Sequence, residues 1–579
     1  MTPAAGRNRT NSNGSEDRDA IMTYSRRSFL HALTAGMGGA AVPASTLLAL
    51  EGALTRAAAQ QAAPNGPVPP ITFFAPNWPD YIEISRLIAN TWSQLGVEVD
   101  LKQGTAQTLM AEVIGEHNTP HAVGVSWGGA PDRIDPDYFL TEFFNSRRKI
   151  KGGLNYGNYD NADYDAVNDA QRAEMDPETR RELVWKCQEM LAADNPILVL
   201  TFRNATQPYN KARWEGVVPT LASGVGMSYI PWTYYKMKPL TSRKVARTAN
   251  FTEIVTLNPF ATPEIFNATL LRWIYPTFVT RGPNGDVEPW AAESWSVVDP
   301  TTVDVKLRPG MVFDDGAPVT VEDVKFTFDF IMEWKFPAFA RVPEVVESLE
   351  IVDPATVRFK LKQPSASFVP NVLGFCFVAP RHVWQALPEG LASPADWPNE
   401  APVGYGGFKF IEWRKGEYLQ LETNKHFFLP PAVDGVIWLF VPNIENQLAM
   451  MESGALDMLG WNIDGEQAKR MAEHPDLEVV SVPSHGMHEI RLNMDMAPIS
   501  DPAFRMALQH ATDRKELVEV VFSGLGAVPA TNTVITGANE FWSNPNLPMP
   551  DFSIEKARQA LADAGYTWDA EGRLHYPAG

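Results

Sequence analysis

Two places in the sequence have residue types and spacings that could support catalysis or metal binding. Residues 124–128 read Gly-Val-Ser-Trp-Gly, the G-x-S-x-G pattern of a hydrolase nucleophile. That motif requires a helix directly after Ser126, whereas the two glycines that follow predict a loop. His485 and His488 could form a metal-binding pair. Residues three apart on a strand point to opposite faces, however, so the two imidazoles could not easily share one ion. We therefore expect these histidines to belong to a surface strand. We therefore expect no catalytic residue and no metal site at either place.

The composition narrows the classes of partner. The 579 residues carry a formal net charge of −20. A chain this acidic is not expected to bind nucleic acid or polyphosphate, or to present a basic membrane-binding patch. No P-loop, zinc-protease or dinucleotide fingerprint occurs in the sequence, so we expect no cofactor. The two cysteines, Cys187 and Cys376, are too few for a disulfide framework or a cysteine-based zinc site, and we expect both to be buried thiols.

The N-terminal segment resembles an export signal. Residues 25–30, Ser-Arg-Arg-Ser-Phe-Leu, are similar to the twin-arginine motif, in which paired arginines precede an aromatic residue and a leucine. A weakly apolar stretch at 32–54 and a small-residue cleavage site at 57–59 follow. The alternative is a transmembrane anchor, but the stretch contains glycines and no run of about 20 strongly apolar residues. We expect a cleaved signal over 1–59, a linker over 60–70 and a periplasmic mature protein.

The spacing of apolar residues predicts an α/β arrangement for the next part of the chain. Strands are predicted at Ile71–Phe74 and Val97–Leu101, with a helix over Tyr81–Leu95 between them. A second helix, over Pro177–Ala193, is expected to begin after Asp176, which serves as its N-cap. The strand–helix–strand order is typical of a parallel α/β sheet.

Several motifs in this first part of the chain carry a family resemblance. They are Leu95–Val99, Trp127 with Asp135-Pro136-Asp137, and Asn155–Tyr159 with Asp163–Asp165. Through these motifs the segment resembles the later part of the oligopeptide-type solute-binding proteins of ABC importers, the peptide/nickel class of extracellular family 5.

The rest of the chain resembles the earlier part of the same family, in the family's own order. The matching motifs are Thr256–Pro259, Pro289–Trp295, Leu307–Val324, Pro402–Phe408, Ser453–Asp457 and Arg505–Arg514. The two parts are in swapped order, which indicates a circular permutation with residues 236–248 joining the ordinary termini. A truncated tandem of two copies is the alternative, but each motif occurs once. Permutation requires only that the old termini lie close together and that the new cut falls in an exposed loop.

The resemblance implies a two-lobed α/β fold of the periplasmic-binding-protein type (class II) with an extra subdomain, circularly permuted. The alternating stretches Thr301–Leu307 and Thr356–Leu361 suit strands of that subdomain. The expected domains are lobe B over 71–215 and 496–579, lobe A over 216–284 and 401–495, and the extra subdomain of lobe A over 285–400.

The resemblance also implies where a ligand binds. Trp127 lies at the end of the predicted strand Ala122–Ser126, where the glycine loop after it can reach the cleft and the indole would stack on a peptide group or a sugar ring. Peptide binders of the family carry an acidic residue three places after this tryptophan. Here that place is Ala130, so either Asp132 substitutes or the ligand is not a peptide. The residues expected to contact ligand are Trp127, Asp132, Arg133, Asp135, Glu253, Trp461 and Asn462.

The function implied is that of a receptor without catalysis. It would enclose a peptide-like or other small polar solute between two lobes by hinge closure and deliver it to the permease subunits of an ABC importer in the inner membrane. We expect it to act as a monomer. An extracytoplasmic hydrolase or chaperone built on the same scaffold is the alternative. A solute that raises the unfolding temperature without being turned over favours the receptor.

Overall fold

The computed structural model describes residues 64–130, 133–226, 232–261 and 265–578. The expected export signal and Asp132 lie outside the described residues. Across the described ranges, no helix is both long and apolar enough to cross a membrane.

The strands of the described residues are numbered in chain order. They are β1 (Ile71–Pro76), β2 (Val99–Gly104), β3 (Ala122–Trp127), β4 (Ile197–Asn210), β5 (Trp214–Glu215), β6 (Lys238–Pro239), β7 (Val245–Asn250), β8 (Val279–Arg281), β9 (Val287–Pro289), β10 (Ala292–Asp299), β11 (Thr302–Leu307), β12 (Val346–Asp353), β13 (Thr356–Leu361), β14 (Phe408–Arg414), β15 (Tyr418–Thr423), β16 (Gly435–Phe440), β17 (Met458–Leu459), β18 (Leu477–Leu492), β19 (Thr567–Trp568) and β20 (Leu574–His575).

The helices are numbered in the same way. The α-helices are α1 (Pro79–Ser93), α2 (Ala106–Thr108), α3 (Ala162–Ala173), α4 (Pro177–Asp194), α5 (Trp232–Lys236), α6 (Ile265–Leu271), α7 (Val321–Trp334), α8 (Arg341–Val345), α9 (Arg381–Trp384), α10 (Ile444–Glu452), α11 (Gly465–Glu473), α12 (Pro502–His510), α13 (Arg514–Glu516) and α14 (Ile554–Asp563). Short π-helical turns lie at Leu109–Gly115, Tyr138–Glu142, Val369–Leu373 and Leu517–Val521, and 3-10 turns at Ser146–Arg148, Pro337–Phe339, Pro394–Asp396 and Gly537–Asn539.

Both predicted helices are present: α4 begins at Pro177 as predicted, and α1 begins at Pro79, two residues before the predicted Tyr81. Helix α1 has Pro79 at its first position and buries a face that includes Tyr81, Ile88 and Trp92, as the helical spacing of apolar residues requires. Helix α4 follows Asp176, whose carboxylate accepts a hydrogen bond from the Thr179 amide at 2.9 Å and so caps the helix. Strands β1 and β2 on either side of α1 pair in parallel, which confirms the predicted strand–helix–strand unit.

Ten strands form one mixed sheet within the described residues, in the order β14-β15-β16-β7-β17-β4-β18-β3-β1-β2. Strands β10, β11, β13 and β12 form a separate antiparallel sheet. Its strands β11 and β13 coincide with the two alternating stretches that the sequence assigned to the extra subdomain. The expected α/β class is therefore confirmed.

Two long neighbouring strands, β4 and β18, join the two halves of the main sheet. The second half of β18 pairs with β3, whereas the second half of β4 pairs with β17. Between these halves the register of the β4–β18 pair shifts: Pro483 lies opposite Asn204, and the next pair is Met487 opposite Phe202. Residues 484–486 therefore form a bulge opposite Arg203, and a bulge of this kind bends a strand locally.

The first and last parts of the described chain share one hydrophobic core beneath β1 and β3. Ile88 and Trp92 of α1 lie in the same buried cluster as Leu561 of α14. The Trp568 indole N–H donates to the Leu95 carbonyl oxygen at 2.7 Å. At the periphery, the amide of Asn65 donates to the carbonyl oxygen of Pro577 at 3.2 Å, and the amide of Val68 to that of Leu574 at 2.8 Å. Segments about 500 positions apart along the chain are thus hydrogen-bonded neighbours.

The expected linker over 236–248 is wrong at its C-terminal end. Val245–Asn250 forms β7, which pairs in parallel with β16 and buries Ala246 and Thr248 completely. The Lys-, Arg- and Thr-rich composition of 236–248 suggested an exposed linker. It did not reveal that alternate residues at the end of this stretch point into the core, as they do in a strand. The expectation for the cysteines is confirmed, because Cys187 and Cys376 are both free and buried.

Candidate functional site

Trp127 occupies the last position of β3 and is half-buried. Its indole N–H donates to Glu489 Oε1 at 3.0 Å, and its ring centroid lies 4.8 Å from that of Phe143. The Arg133 guanidinium lies 5.5 Å from the Trp127 ring centroid and 5.5 Å from that of Tyr138. Both distances are within the range of cation–π attraction. The structure therefore brings together two of the residues expected from the sequence, Trp127 and Arg133.

A buried ion pair holds the Trp127 indole in place. Glu489 is 0% exposed and Arg491 1%, and Glu489 Oε1 accepts from Arg491 Nη2 at 2.9 Å while Oε2 accepts from Nε at 3.1 Å. Tyr156 also donates to Glu489 Oε1, at 3.3 Å. The Arg491 guanidinium lies 4.3 Å from the Phe143 ring centroid. Because a buried charge requires partners on all sides, this network fixes the wall behind Trp127.

Asp135 is committed to another buried pair. Its two carboxylate oxygens accept from Arg180 Nη1 at 2.9 Å and Nη2 at 2.7 Å, and both side chains are about 5% exposed. Burial alone would raise the pKa of Asp135, but the Arg180 guanidinium outweighs it and holds the pKa below its ordinary value. Asp135 thus anchors helix α4 beneath the loop that carries Arg133.

Asn462 joins the same region through Gln207, near the C-terminal end of β4. The Gln207 side-chain amide donates to Asn462 Oδ1 at 3.1 Å and to the Ser223 carbonyl oxygen at 3.2 Å. Gln207 Oε1 accepts from the amides of Val225 and Gly226 at 2.8 and 2.7 Å. Gln207 therefore uses its whole hydrogen-bonding capacity to hold segment 220–226 against the strand pair.

Segment 220–226 in turn meets the glycine loop after Trp127. The amide of Ala222 donates to the Pro483 carbonyl oxygen at 3.0 Å. A Cβ placed on Gly129 would lie 2.9 Å from the Ala222 carbonyl oxygen and 2.3 Å from Ser484 Oγ. The close approach of the backbone explains why glycine is needed at this position. Trp127 and Asn462 are thereby placed on either side of one packed segment at the β4–β18 bulge.

The remaining expected residues lie further along the β7–β17 part of the sheet. The Trp461 ring packs edge-on against Phe251 at a centroid distance of 5.1 Å. Glu253 is half-buried and lines a small cavity of ≈ 10 Å³ together with Trp413 and Tyr418 beside the β14–β15 turn. The residues that line this cavity come from the β7 and β14–β16 region and do not include the Trp127 loop.

The expectation that the two histidines lie on a surface strand is wrong. His485 is 1% exposed and His488 2%, because β18 is a central strand with β3 and β4 as neighbours. His488 Nε2 bonds to Asp80 Oδ2 at 2.9 Å and Nδ1 to Thr201 Oγ1 at 3.1 Å. Burial lowers the pKa of His488 to about 4, against the opposing effect of Asp80. No cluster of metal-ligating side chains is present in the part of the chain that the structure describes.

The serine of the G-x-S-x-G pattern is part of a strand. Ser126 lies within β3, and its hydroxyl oxygen accepts from Arg203 Nη1 at 2.8 Å. Residues 128–130, which directly follow β3, are irregular. The strand–turn–helix geometry of a nucleophile elbow is therefore not formed at these described positions.

Two residues that organise this region, Gln207 and Glu489, were not identified from the sequence. Gln207 belongs to a polar stretch that continues an apolar strand, and polar residues in that position usually indicate the end of a strand. Glu489 and Arg491 lie two apart, as same-face residues of a strand do. That spacing was the available signal for the ion pair.

Comparison with known sequences gives a family match. Residues 286–577 match the family described as bacterial extracellular solute-binding proteins, family 5 Middle. The chain is 28% identical over 268 residues to the oligopeptide-binding protein AppA of Bacillus subtilis (strain 168), covering 45% of this chain and 48% of that protein. It is 28% identical over 332 residues to the glutathione-binding protein GsiB of Escherichia coli (strain K12), covering 56% and 61%. The chain thus spans about half to three fifths of the length of these curated relatives.

Solved structures give partial matches. NikZ from Campylobacter jejuni, in complex with Ni(L-His), aligns with 58% of this chain and 66% of its own, at 21% identity and a TM-score of 0.47. The oligopeptide-binding protein AppA from Bacillus subtilis, in complex with a nonapeptide, aligns over the same shares at 24% identity and a TM-score of 0.44.

Proposed function

Because this chain belongs to the bacterial extracellular solute-binding proteins of family 5, we propose that it is an extracytoplasmic receptor that encloses a small solute between two lobes and delivers it to an ABC importer. The observation that carries this proposal is the pair of long strands β4 and β18, which cross from one half of the main sheet to the other and shift register at residues 484–486. A bent two-strand connection of this kind is suited to hinge bending.

This geometry supports a revised boundary between the lobes. The β1–β3 half of the sheet would belong to lobe B and the β7–β17 half to lobe A, with the extra subdomain around the four-stranded sheet. The boundary would then fall near residues 203 and 484–486, inside β4 and β18, instead of at 215 and 495. Each long strand would contribute one half to each lobe.

Several contacts cross this boundary outside the hinge, and opening would break at least two of them. The amide of Ala366, in the extra subdomain, donates to the Arg172 carbonyl oxygen of α3 at 2.8 Å. The Arg341 guanidinium lies 6.0 Å from the Tyr138 ring centroid. Contacts of these two kinds stabilise the closed form by about 1 kcal/mol each. A solute that makes hydrogen bonds to both lobes would therefore stabilise the closed form by a similar amount per bond.

The ligand would be a peptide-like or other small polar solute. AppA and GsiB are named as binders of oligopeptide and glutathione, which supports a peptide-like compound. In this chain, Trp127 and Arg133 would offer an aromatic face and a planar cation, and both groups stack well on peptide units. Asp132, Glu253, Trp461 and Asn462 remain proposed contacts. Asp135 would act through its ion pair with Arg180.

The swapped order of the family motifs would follow from a circular permutation. In support, Asn65 and Pro577 are hydrogen-bonded, so the cut would fall between residues that are already adjacent in space. A test is to join Pro577 to Asn65 and to open the chain between β6 and β7. The rearranged protein should unfold within a few degrees of the original and bind the same solutes. Loss of the folded state would argue against the permutation.

The protein would be a periplasmic monomer exported by the twin-arginine pathway, without catalytic activity. Export by the twin-arginine pathway would be tested by replacing both Arg26 and Arg27 with lysine and measuring how much of the protein accumulates in the periplasm. Retained export would exclude this pathway. A hydrolase is not favoured, because the Ser126 hydroxyl oxygen accepts from the Arg203 guanidinium, a cation that cannot serve as the general base a serine nucleophile requires.

The receptor proposal is tested by thermal-shift screening of purified residues 60–579 against short peptides, glutathione, oligosaccharides and opines. A solute at 100 times its Kd stabilises the folded state by about 2.7 kcal/mol, and small-angle scattering should show a smaller radius of gyration on binding. Trp127→Leu should weaken this response. Trp568→Leu is the matched control and should not, because Trp568 packs against a different buried cluster from Trp127. Turnover of a bound solute, or no response to any class, would contradict the proposal.

A further inference from the structure

A cavity of ≈ 270 Å³ lies in the extra subdomain, between residues 337–342 and residues 371–376. Its apolar wall includes Phe339, Val342 and Val372, which are 2–8% exposed. Its volume is just below the range of about 300–1,000 Å³ found for small-molecule sites. The cavity is therefore large enough for one amino-acid residue and its adjoining amide, but not for a whole oligopeptide.

One polar side chain in the wall of this cavity has unmet hydrogen-bonding capacity. Asn371 is 3% exposed, and neither its carboxamide nitrogen nor its carboxamide oxygen has a hydrogen-bond partner among the described residues. A buried polar group without a partner costs about 1–3 kcal/mol per group. Asn371 lines the cavity, and because the terminal torsion of asparagine is broad, we expect an occupant to draw the carboxamide round towards it.

Another buried asparagine in the same part of the chain shows what a structural role requires. Asn258 is 0% exposed, and its side-chain nitrogen donates to the carbonyl oxygens of Pro394 at 2.9 Å and Trp397 at 2.7 Å. Its side-chain oxygen accepts from the Phe260 amide at 2.9 Å. Asn258 thus holds two loops together, whereas Asn371 makes no such bond within the described chain.

We propose that this cavity, the Asn371 pocket, binds an amide-bearing apolar group: an amino-acid residue with an aliphatic side chain and its peptide bond. An amide offers one donor and one acceptor in the geometry that a carboxamide complements. The aliphatic part of the ligand would pack against Phe339, Val342 and Val372. A cation is not favoured as occupant, because the Arg341 side chain lines the same pocket.

The pocket opens beside the proposed cleft. Arg341 lines it and also lies 6.0 Å from the Tyr138 ring, which in turn lies 5.5 Å from Arg133. Arg133 contacts Trp127 at 5.5 Å. A row of alternating rings and guanidinium groups therefore leads from Trp127 to the pocket. The pocket would be a subsite for one residue of the enclosed solute, and in this respect it rests on the proposed function.

The test uses N-acetyl-L-leucinamide as probe, titrated by calorimetry into purified residues 60–579. Binding to the original protein should be saturable, and N-acetyl-L-alaninamide should bind more weakly because it fills less of the apolar wall. Asn371→Leu should raise the Kd for the probe by about tenfold or more. In the absence of probe the same substitution should leave the unfolding temperature unchanged or raise it, since it removes an unpartnered polar group from the interior.

Asn258→Leu is the matched control and should lower the unfolding temperature of the free protein. The proposal is overturned if the probe does not bind the original protein, if Asn371→Leu binds it equally well, or if Asn371→Leu lowers the unfolding temperature as the control does. These results are separable from the receptor function. A solute from the screen that binds both Asn371→Leu and the original protein equally would remove the subsite and leave the receptor proposal intact.

Discussion

The buried pair of Glu489 and Arg491 gives the sharpest test of how the region around Trp127 is held. Glu489→Ala removes the acceptor of two Arg491 hydrogen bonds, at 2.9 and 3.1 Å, and leaves a guanidinium that is 1% exposed without its counter-ion. Breaking a buried pair by removing one partner costs about 3–5 kcal/mol. Trp127 also loses the acceptor of its indole N–H. We therefore expect the free energy of unfolding to fall by about 4 kcal/mol.

Urea titration followed by tryptophan fluorescence measures this change. Glu83→Ala provides the matched control, because Glu83 pairs with Arg86 at side-chain exposures of 35% and 63%, and exposed pairs contribute about 0–1 kcal/mol. The double variant Glu489→Leu with Arg491→Met should recover most of the loss, since well-packed apolar residues often replace a buried ion pair without cost. A loss below about 1 kcal/mol for Glu489→Ala would refute the reasoning, because it would mean that the pair is not desolvated.

Two further predictions concern the joint between the first and last described segments. Gly96→Ala should destabilise the protein by more than Gly310→Ala. Both glycines have positive φ, but a Cβ at Gly96 would lie 2.4 Å from the Gly572 carbonyl oxygen and one at Gly310 meets nothing within 4 Å. Equal unfolding temperatures for the two variants would be inconsistent with this contact. His121 accepts the Thr72 amide at Nδ1, and burial lowers its pKa to about 4. As the pH falls, the unfolded chain therefore takes up a proton at His121 before the folded chain does. The free energy of unfolding should consequently fall by about 3 kcal/mol between pH 6.5 and pH 4. In His121→Gln this free energy should depend less steeply on pH, and an equally steep dependence would contradict the prediction.

Features set by neighbouring residues were predictable from the sequence. Helix α4 begins at Pro177 because Asp176 caps it, and α1 buries Ile84, Ile88 and Trp92 as its apolar spacing predicts, although Ile82 is exposed. Strand β3 ends at Trp127, as the glycines after it indicated. In each case the determining contacts lie within a few residues, where spacing and propensity act directly.

Features set by distant residues were not predictable. Asp135 could be identified as acidic and near Trp127, but its partner Arg180 lies 45 residues further along the chain. The two histidines of β18 resembled surface residues because nothing nearby shows that β3 and β4 cover them. Their burial results from pairing between strands that lie more than 250 residues apart in the sequence. The pairing of β4 with β18, for example, brings Thr201 next to His488. Spacing along the chain carries no information about such partners.

The arrangement of the β1–β3 half of the sheet has a consequence for the order of events during synthesis. Strands β1 and β3 leave the ribosome early, yet the Glu489 carboxylate that receives the Trp127 indole is made 362 residues later. The four-stranded sheet and strands β14–β16 emerge in one uninterrupted stretch and can complete their own pairing first. Until β18 and α14 arrive, β3 has an unpaired edge and α1 an uncovered apolar face, so the nascent chain must be shielded from association over most of its translation.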